Sequence, residues 1–158
     1  MRFFHNDTTS RKIEMLKNIP VFHTLDRSEI RVVEALLHER TYEKDEILFE
    51  EGDPGHGMFI IVSGKVRLKS SHKLLESALF EFGPGDTLGE MSLFDEAPHN
   101  ATVFAVEPTV AVALFQAELS SLLMNHTSIG VRVLMEISRI VSRRARQLLV
   151  RDSGLPDV

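Results

Sequence analysis

The sequence predicts a mainly β domain, a sandwich or a jelly-roll barrel, with α-helices at both ends. Two observations carry this. Between Ile47 and Leu114 the apolar residues come in short runs rich in Val, Ile and Phe, most of them separated by Gly, Pro or Asp turns. Before and after that stretch they recur every three or four residues, the helical period. The chain has 158 residues, enough for one well-filled core, or one domain with an appendage.

The elements follow in chain order. Ile13 and Leu16 give helical spacing over residues 11–18, and Ile30, Val33, Leu36 and Leu37 do so over 29–37. Asp26, three residues before Glu29, resembles a capping box at the start of the second helix. Strands are expected at 47–49, 58–62, 66–68, 74–82, 101–106 and 109–114. Turns such as Gly52-Asp53-Pro54-Gly55 and Ser63-Gly64 separate most of them. Many short strands at close spacing are what a sandwich or jelly roll requires. A short helix is then expected at 118–124 and a long one from Thr127 to about Arg151. In the long helix Leu134, Ile137, Val141, Ala145 and Leu148 form a coiled-coil-like seam, with six arginines mostly on the other faces.

Composition removes several classes of function. Hydrophobic residues make up 43% and charged residues 26%, and the net charge of −5 gives no general attraction to nucleic acid. There is no cysteine, hence no disulfide and no thiolate metal site, which fits a cytoplasmic protein. The first ten residues carry no apolar leader. Glu107-Pro108 interrupts the apolar stretch 101–117, leaving nothing long enough to span a bilayer. Seven histidines are scattered without an H-x-H or H-x-x-x-H pair, and no G-x-S-x-G elbow exists. Neither a catalytic nor a metal-ligating set is expected.

The most informative stretch is 83–103. Gly83-Pro84-Gly85-Asp86 turns into Leu88-Gly89-Glu90 and a short apolar run, and Pro98-His99-Asn100 leads into Ala101-Thr102-Val103. Gly89 lets backbone approach a ligand closely, and successive amides at the start of a short helix form an anion site. Glu90 puts a carboxylate beside them that accepts from sugar hydroxyls and repels phosphate. The plain alternatives are a carboxylate favoured by a helix dipole and, for His99, an exposed loop histidine.

This stretch resembles the phosphate-binding cassette of cyclic-nucleotide-binding domains, whose pattern is roughly F-G-E-L-A-L, a loop, then P-R-A-A-T-V. The resemblance extends over about residues 19–115. Tyr42-Glu43-Lys44-Asp45-Glu46-Ile47 to Gly52-Asp53 is similar to the family's Y-x-K-G-E-x-I-x-x-E-G-D, and 58–66 to the strand–turn–strand after it. It implies an eight-stranded β-roll, a double-stranded β-helix or jelly roll, over 40–115. N-terminal helices would occupy 1–39, C-terminal helices 116–151 and a tail 152–158. It also implies a final helix that pairs with a second copy and covers the bound base.

The ligand-binding residues implied are Leu88, Gly89, Glu90, Met91, Ser92, His99, Asn100 and Ala101, with Glu90 holding a ribose 2′-hydroxyl. The family's phosphate-gripping Arg is missing. His99 stands in its place in one register and Asn100 in the other. Arg139, Arg143, Arg67 and Lys69 are candidates to replace it. The expected function is a non-catalytic sensor or regulatory domain for a cyclic nucleotide (cyclic AMP or cyclic GMP) or a related nucleotide, with weak or altered binding. It would signal through its last helix to a protein effector. The alternative is a ligand-free dimerisation or docking module. Few residues follow the long helix, so no direct DNA reading is expected, and no membrane contact.

Overall fold

Eight antiparallel strands form two four-stranded sheets in the computed structural model, which describes residues 4–71 and 80–153. One sheet has the order β1-β8-β3-β6, from His38–Tyr42, Thr109–Phe115, Gly57–Ser63 and Thr87–Leu88. The other has β2-β7-β4-β5, from Ile47–Phe49, Thr102–Ala105, Val66–Lys69 and Phe80–Phe82. This is the jelly roll expected from the short strands. The expected strand at 74–82 is present at its last three residues; its earlier part lies outside the described residues.

Two strands were not anticipated. β1 is polar, with only Tyr42 buried, because it lies at a sheet edge and pairs with β8 alone. β6 has two residues, too few for any periodicity. The turn between β3 and β4 depends on Gly64, whose φ is +83°. A Cβ there would lie 2.4 Å from the Pro108 carbonyl oxygen.

Helices close both ends: α1 (Phe4–Lys17), a 3-10 turn (Pro20–Phe22), α2 (Arg27–Glu34), α3 (Ser92–Asp95), α4 (Gln116–Asn125) and α5 (Thr127–Ser153). The capping box at α2 is complete. Asp26 Oδ1 accepts from the Glu29 amide at 2.9 Å, and Glu29 Oε2 accepts from the Asp26 amide at 2.9 Å. Bonds from the Ser28 hydroxyl and the Glu29 amide hold the Asp26 carboxyl below the usual carboxylate range.

The core has two parts. Tyr42, Leu48, Ile61, Val66, Val103 and Ala111 fill the roll. The larger cluster joins the helices to the outer face of the first sheet, through Ile13, Leu16, Phe22, Ile30, Met58, Leu114 and Leu122. α5 enters this cluster through Ile129, Val133, Ile137 and Ile140, spaced four, four and three residues apart. Arg132 locks the same end, donating to Glu29 on α2 and to the Thr24 carbonyl at 3.1 Å.

The seam expected on this helix is therefore corrected. Ile137 is fully buried and Val141 packs against the domain's own core. The exposed face of α5 is rotated to Val131, Met135, Ser138, Ser142 and Ala145.

Candidate functional site

At about 1.5 Å per residue, α5 is roughly 40 Å long and outruns the helical layer it packs on. Its inward stripe of Val133, Ile137 and Ile140 continues as Arg144 and Gln147, again at four and three residues. These two reach the open end of the roll, where a cavity of about 540 Å³ lies. Leu88, Gly89, Glu90, Met91, Ser92, His99, Asn100 and Ala101 all line it. The fold thus brings every expected site residue to one place. Phe49, Leu68, Phe80 and Phe82 of the second sheet form one wall, and Arg144, Gln147, Leu148 and Val150 of α5 another.

Glu90 is 4% exposed. Its Oε1 accepts from Arg144 Nη1, and Arg144 Nη2 donates to the Thr87 carbonyl. The guanidinium also lies 5.6 Å from the Phe82 ring centroid. Glu90 Oε2 is buried and has no hydrogen-bond partner, as has the Thr87 hydroxyl.

None of the four cations proposed as substitutes lines the cavity. Arg139 pairs with Glu136, Arg67 pairs with Glu81 at 2.6 Å, and Arg143 and Lys69 are exposed. Arg144 was missed because the sequence reading followed the wrong face of α5. The stripe Val133, Ile137, Ile140 extended by four residues points to it.

His99 is not an exposed loop histidine. It is 9% exposed, and its ring stacks on Phe49 with centroids 4.0 Å apart and 22° between planes. The register ambiguity falls the same way. His99 Cε1 would lie 3.4 Å from a Cβ on Gly89, whereas Asn100 is exposed and offers its carbonyl to Ser70 Oγ at 2.6 Å. Gly89 has φ +72° and a Cβ there would also lie 3.1 Å from the Gly57 carbonyl. The close approach that Gly89 permits is thus used by the imidazole and by β3. Burial pushes the His99 imidazole below its ordinary value; the Asp53 carboxylate opposes this and His56 adds to it.

The expected anion site is weaker than the sequence implied. The amides of Ser92, Leu93 and Phe94 donate to the carbonyls of Gly89, Glu90 and Met91 at 3.1, 3.2 and 3.0 Å, so they are already used within the turn. A neutral imidazole in place of a guanidinium offers one donor and no charge. Glu90 is a candidate acceptor for the sugar hydroxyls of a nucleotide, and the one Lys or Arg among the described lining residues, Arg144, is already paired.

The family model described as cyclic nucleotide-binding domain matches residues 39–126. The chain belongs to that family. It is 32% identical over 133 residues to the cyclic AMP receptor protein of Thermus thermophilus, covering 84% of this chain and 60% of the relative. The crystal structure of Thermus thermophilus catabolite activator protein superposes with a TM-score of 0.74 at 31% identity, covering 84% of this chain and 61% of that one. A cyclic nucleotide-binding domain from Methylobacillus flagellatus gives a TM-score of 0.77 at 26% identity, covering 92% and 82%. The chain spans about three-fifths of the length of its Thermus relative. Among the described residues no helix is long and apolar enough to cross a membrane.

Two outcomes test this description. Arg144→Met leaves Glu90 as a buried charge without its cation. The loss expected in urea denaturation is about 1–3 kcal/mol, below the ~3–5 of a fully buried pair because the Arg144 side chain is 33% exposed. Glu90→Gln in the same chain recovers most of it; an unchanged midpoint in the single variant would show that the pair does not hold α5.

The lowered His99 value fixes the sign of a pH effect. The unfolded chain takes up the proton before the folded one does. Stability is therefore complete above the ordinary histidine range and is lost as pH falls through it towards the folded value. The thermal midpoint of the protein is expected to fall between about pH 7 and about pH 5, and less steeply for His99→Gln. Equal slopes would contradict the assignment.

Proposed function

We propose that this domain is a non-catalytic sensor of the cyclic-nucleotide-binding type whose phosphate site is altered, and that it signals through α5. The observation that carries this reading is the convergence of cassette and helix on one cavity. Glu90 of the cassette and Arg144 of α5 share an ion pair at its wall. A ligand that engages Glu90 bears directly on the helix, and the position of α5 is what a downstream protein effector would read. The absence of cysteine fits work in the cytoplasm. In this reading 40–115 is the sensing roll, 116–151 the output helices and 1–39 the layer against which α5 is set.

Assembly belongs to the same proposal. Val131, Met135, Ser138, Ser142 and Ala145 lie four, three, four and three residues apart on the exposed face of α5, the spacing of a heptad seam. The Ser138 and Ser142 hydroxyls bond back to the carbonyls of Leu134 and Ser138 at 2.8 Å, so they add no unpaired donor to a close helix contact. The occupant that matches a heptad face is a second copy of the same helix. Sedimentation at tens of micromolar is expected to give a dimer and Ala145→Glu a monomer. A monomer for the unaltered chain would remove this part of the reading.

One observation favours the alternative of a ligand-free docking module: Arg144 and the His99 ring already have partners within the protein, Glu90 and Phe49. Restoring the missing cation separates the two. His99→Arg is expected to raise affinity for cyclic AMP or cyclic GMP at least about tenfold, the worth of a charge-assisted fork of ~1.5 kcal/mol. Asn100→Arg, on the exposed neighbour, is expected to do nothing. Calorimetry with no response from either protein at millimolar nucleotide would favour the docking module.

A further inference from the structure

We infer that the cavity selects an uncharged ribonucleoside, a planar base on a sugar with a free 2′,3′-diol, over any phosphorylated form. The inference rests on the sensor reading above and names the ligand class for it.

The charges at the cavity decide against phosphate. Among the described residues lining it, the formal charges are the carboxylates of Glu90 and Asp95 and the guanidinium of Arg144. They sum to one negative charge. Arg144 is already held by Glu90 and by the Thr87 carbonyl, and turning it to a phosphate would leave a 4%-exposed carboxylate unpaired. His99 sits against Gly89, and burial disfavours its charged form. Among the described residues, a cyclic phosphate would thus enter a net negative, largely apolar enclosure without an available cation.

The same groups suit a neutral diol. Glu90 Oε2 is a buried acceptor with no partner, a state that costs free energy until a donor reaches it. Oε2 is closed to a group the size of water, so a sugar hydroxyl reaches it once the carboxylate turns towards the cavity, and Arg144 can remain on Oε1 through that turn. Apolar walls from Phe49, Phe82 and Leu148 supply faces for a planar base. The volume of about 540 Å³ lies within the range of small-molecule sites, about 300–1,000 Å³.

The test uses the unaltered protein, so no variant has to fold. Calorimetry compares adenosine, guanosine, cytidine and uridine with their 2′-deoxy counterparts and with cyclic AMP and cyclic GMP. At least one ribonucleoside is expected to bind. Its 2′-deoxy form should be weaker by about tenfold or more, and so should its cyclic phosphate where that is in the panel. A cyclic phosphate that binds as tightly as its nucleoside, or more tightly, overturns the inference and leaves the sensor reading standing. Equal binding of the 2′-deoxy form also overturns it, because Glu90 would then not be the contact. No binding by any of them at millimolar concentration overturns both.

Discussion

Glu90 is a carboxylate almost cut off from water, and much of the architecture serves to keep one charge there. An unpaired buried carboxylate would be costly enough to unfold a small domain or to force its own protonation. The guanidinium that compensates it comes from fifty-four residues later in the chain, on a different element. For Arg144 to reach Glu90, α5 must be laid along the body at one rotation and one height. Val133, Ile137 and Ile140 set the rotation by entering the main core, and Arg132 sets the height through Glu29 and Thr24. Apolar burial therefore holds the helix, and the ion pair at its far end reports where it is.

That arrangement gives α5 two faces with different duties. The inward stripe is continuous in register from Ile129 to Gln147, but its chemistry changes from aliphatic to polar at Arg144, where core gives way to cavity. The outward face carries small and apolar residues at heptad spacing and makes no contribution to the core. A displacement of the Arg144 end would alter the outward face of the same rigid rod. Such a displacement needs a ligand with different affinity for the two helix positions; tight binding alone shifts nothing.

The fold was legible because turn residues and β-branched runs alternate so densely between Ile47 and Leu114, and because helical spacing brackets them. What escaped was what lacks periodicity. β1 is polar because it lies at an edge, and β6 is two residues long. The eight residues read as a site, from two segments on either side of the loop around Pro98, line one cavity. The wall from α5 was not, because apolar residues on a long helix admit two phases. Leu134, Ile137, Val141, Ala145 and Leu148 make as regular a pattern as Val133, Ile137 and Ile140. Only the body that the helix packs against distinguishes them.

His99 differs in size and charge from the arginine that the family resemblance would place there. A guanidinium there would need an anion or water to satisfy its donors, and would hold the space beside Gly89 open for it. An imidazole is smaller, can be neutral, and gains from stacking on an aromatic ring. Here it stacks on Phe49 and lies against Gly89. The amides of Ser92, Leu93 and Phe94 pair within their own turn. Glu90, by contrast, takes its side-chain partner from Arg144 on α5.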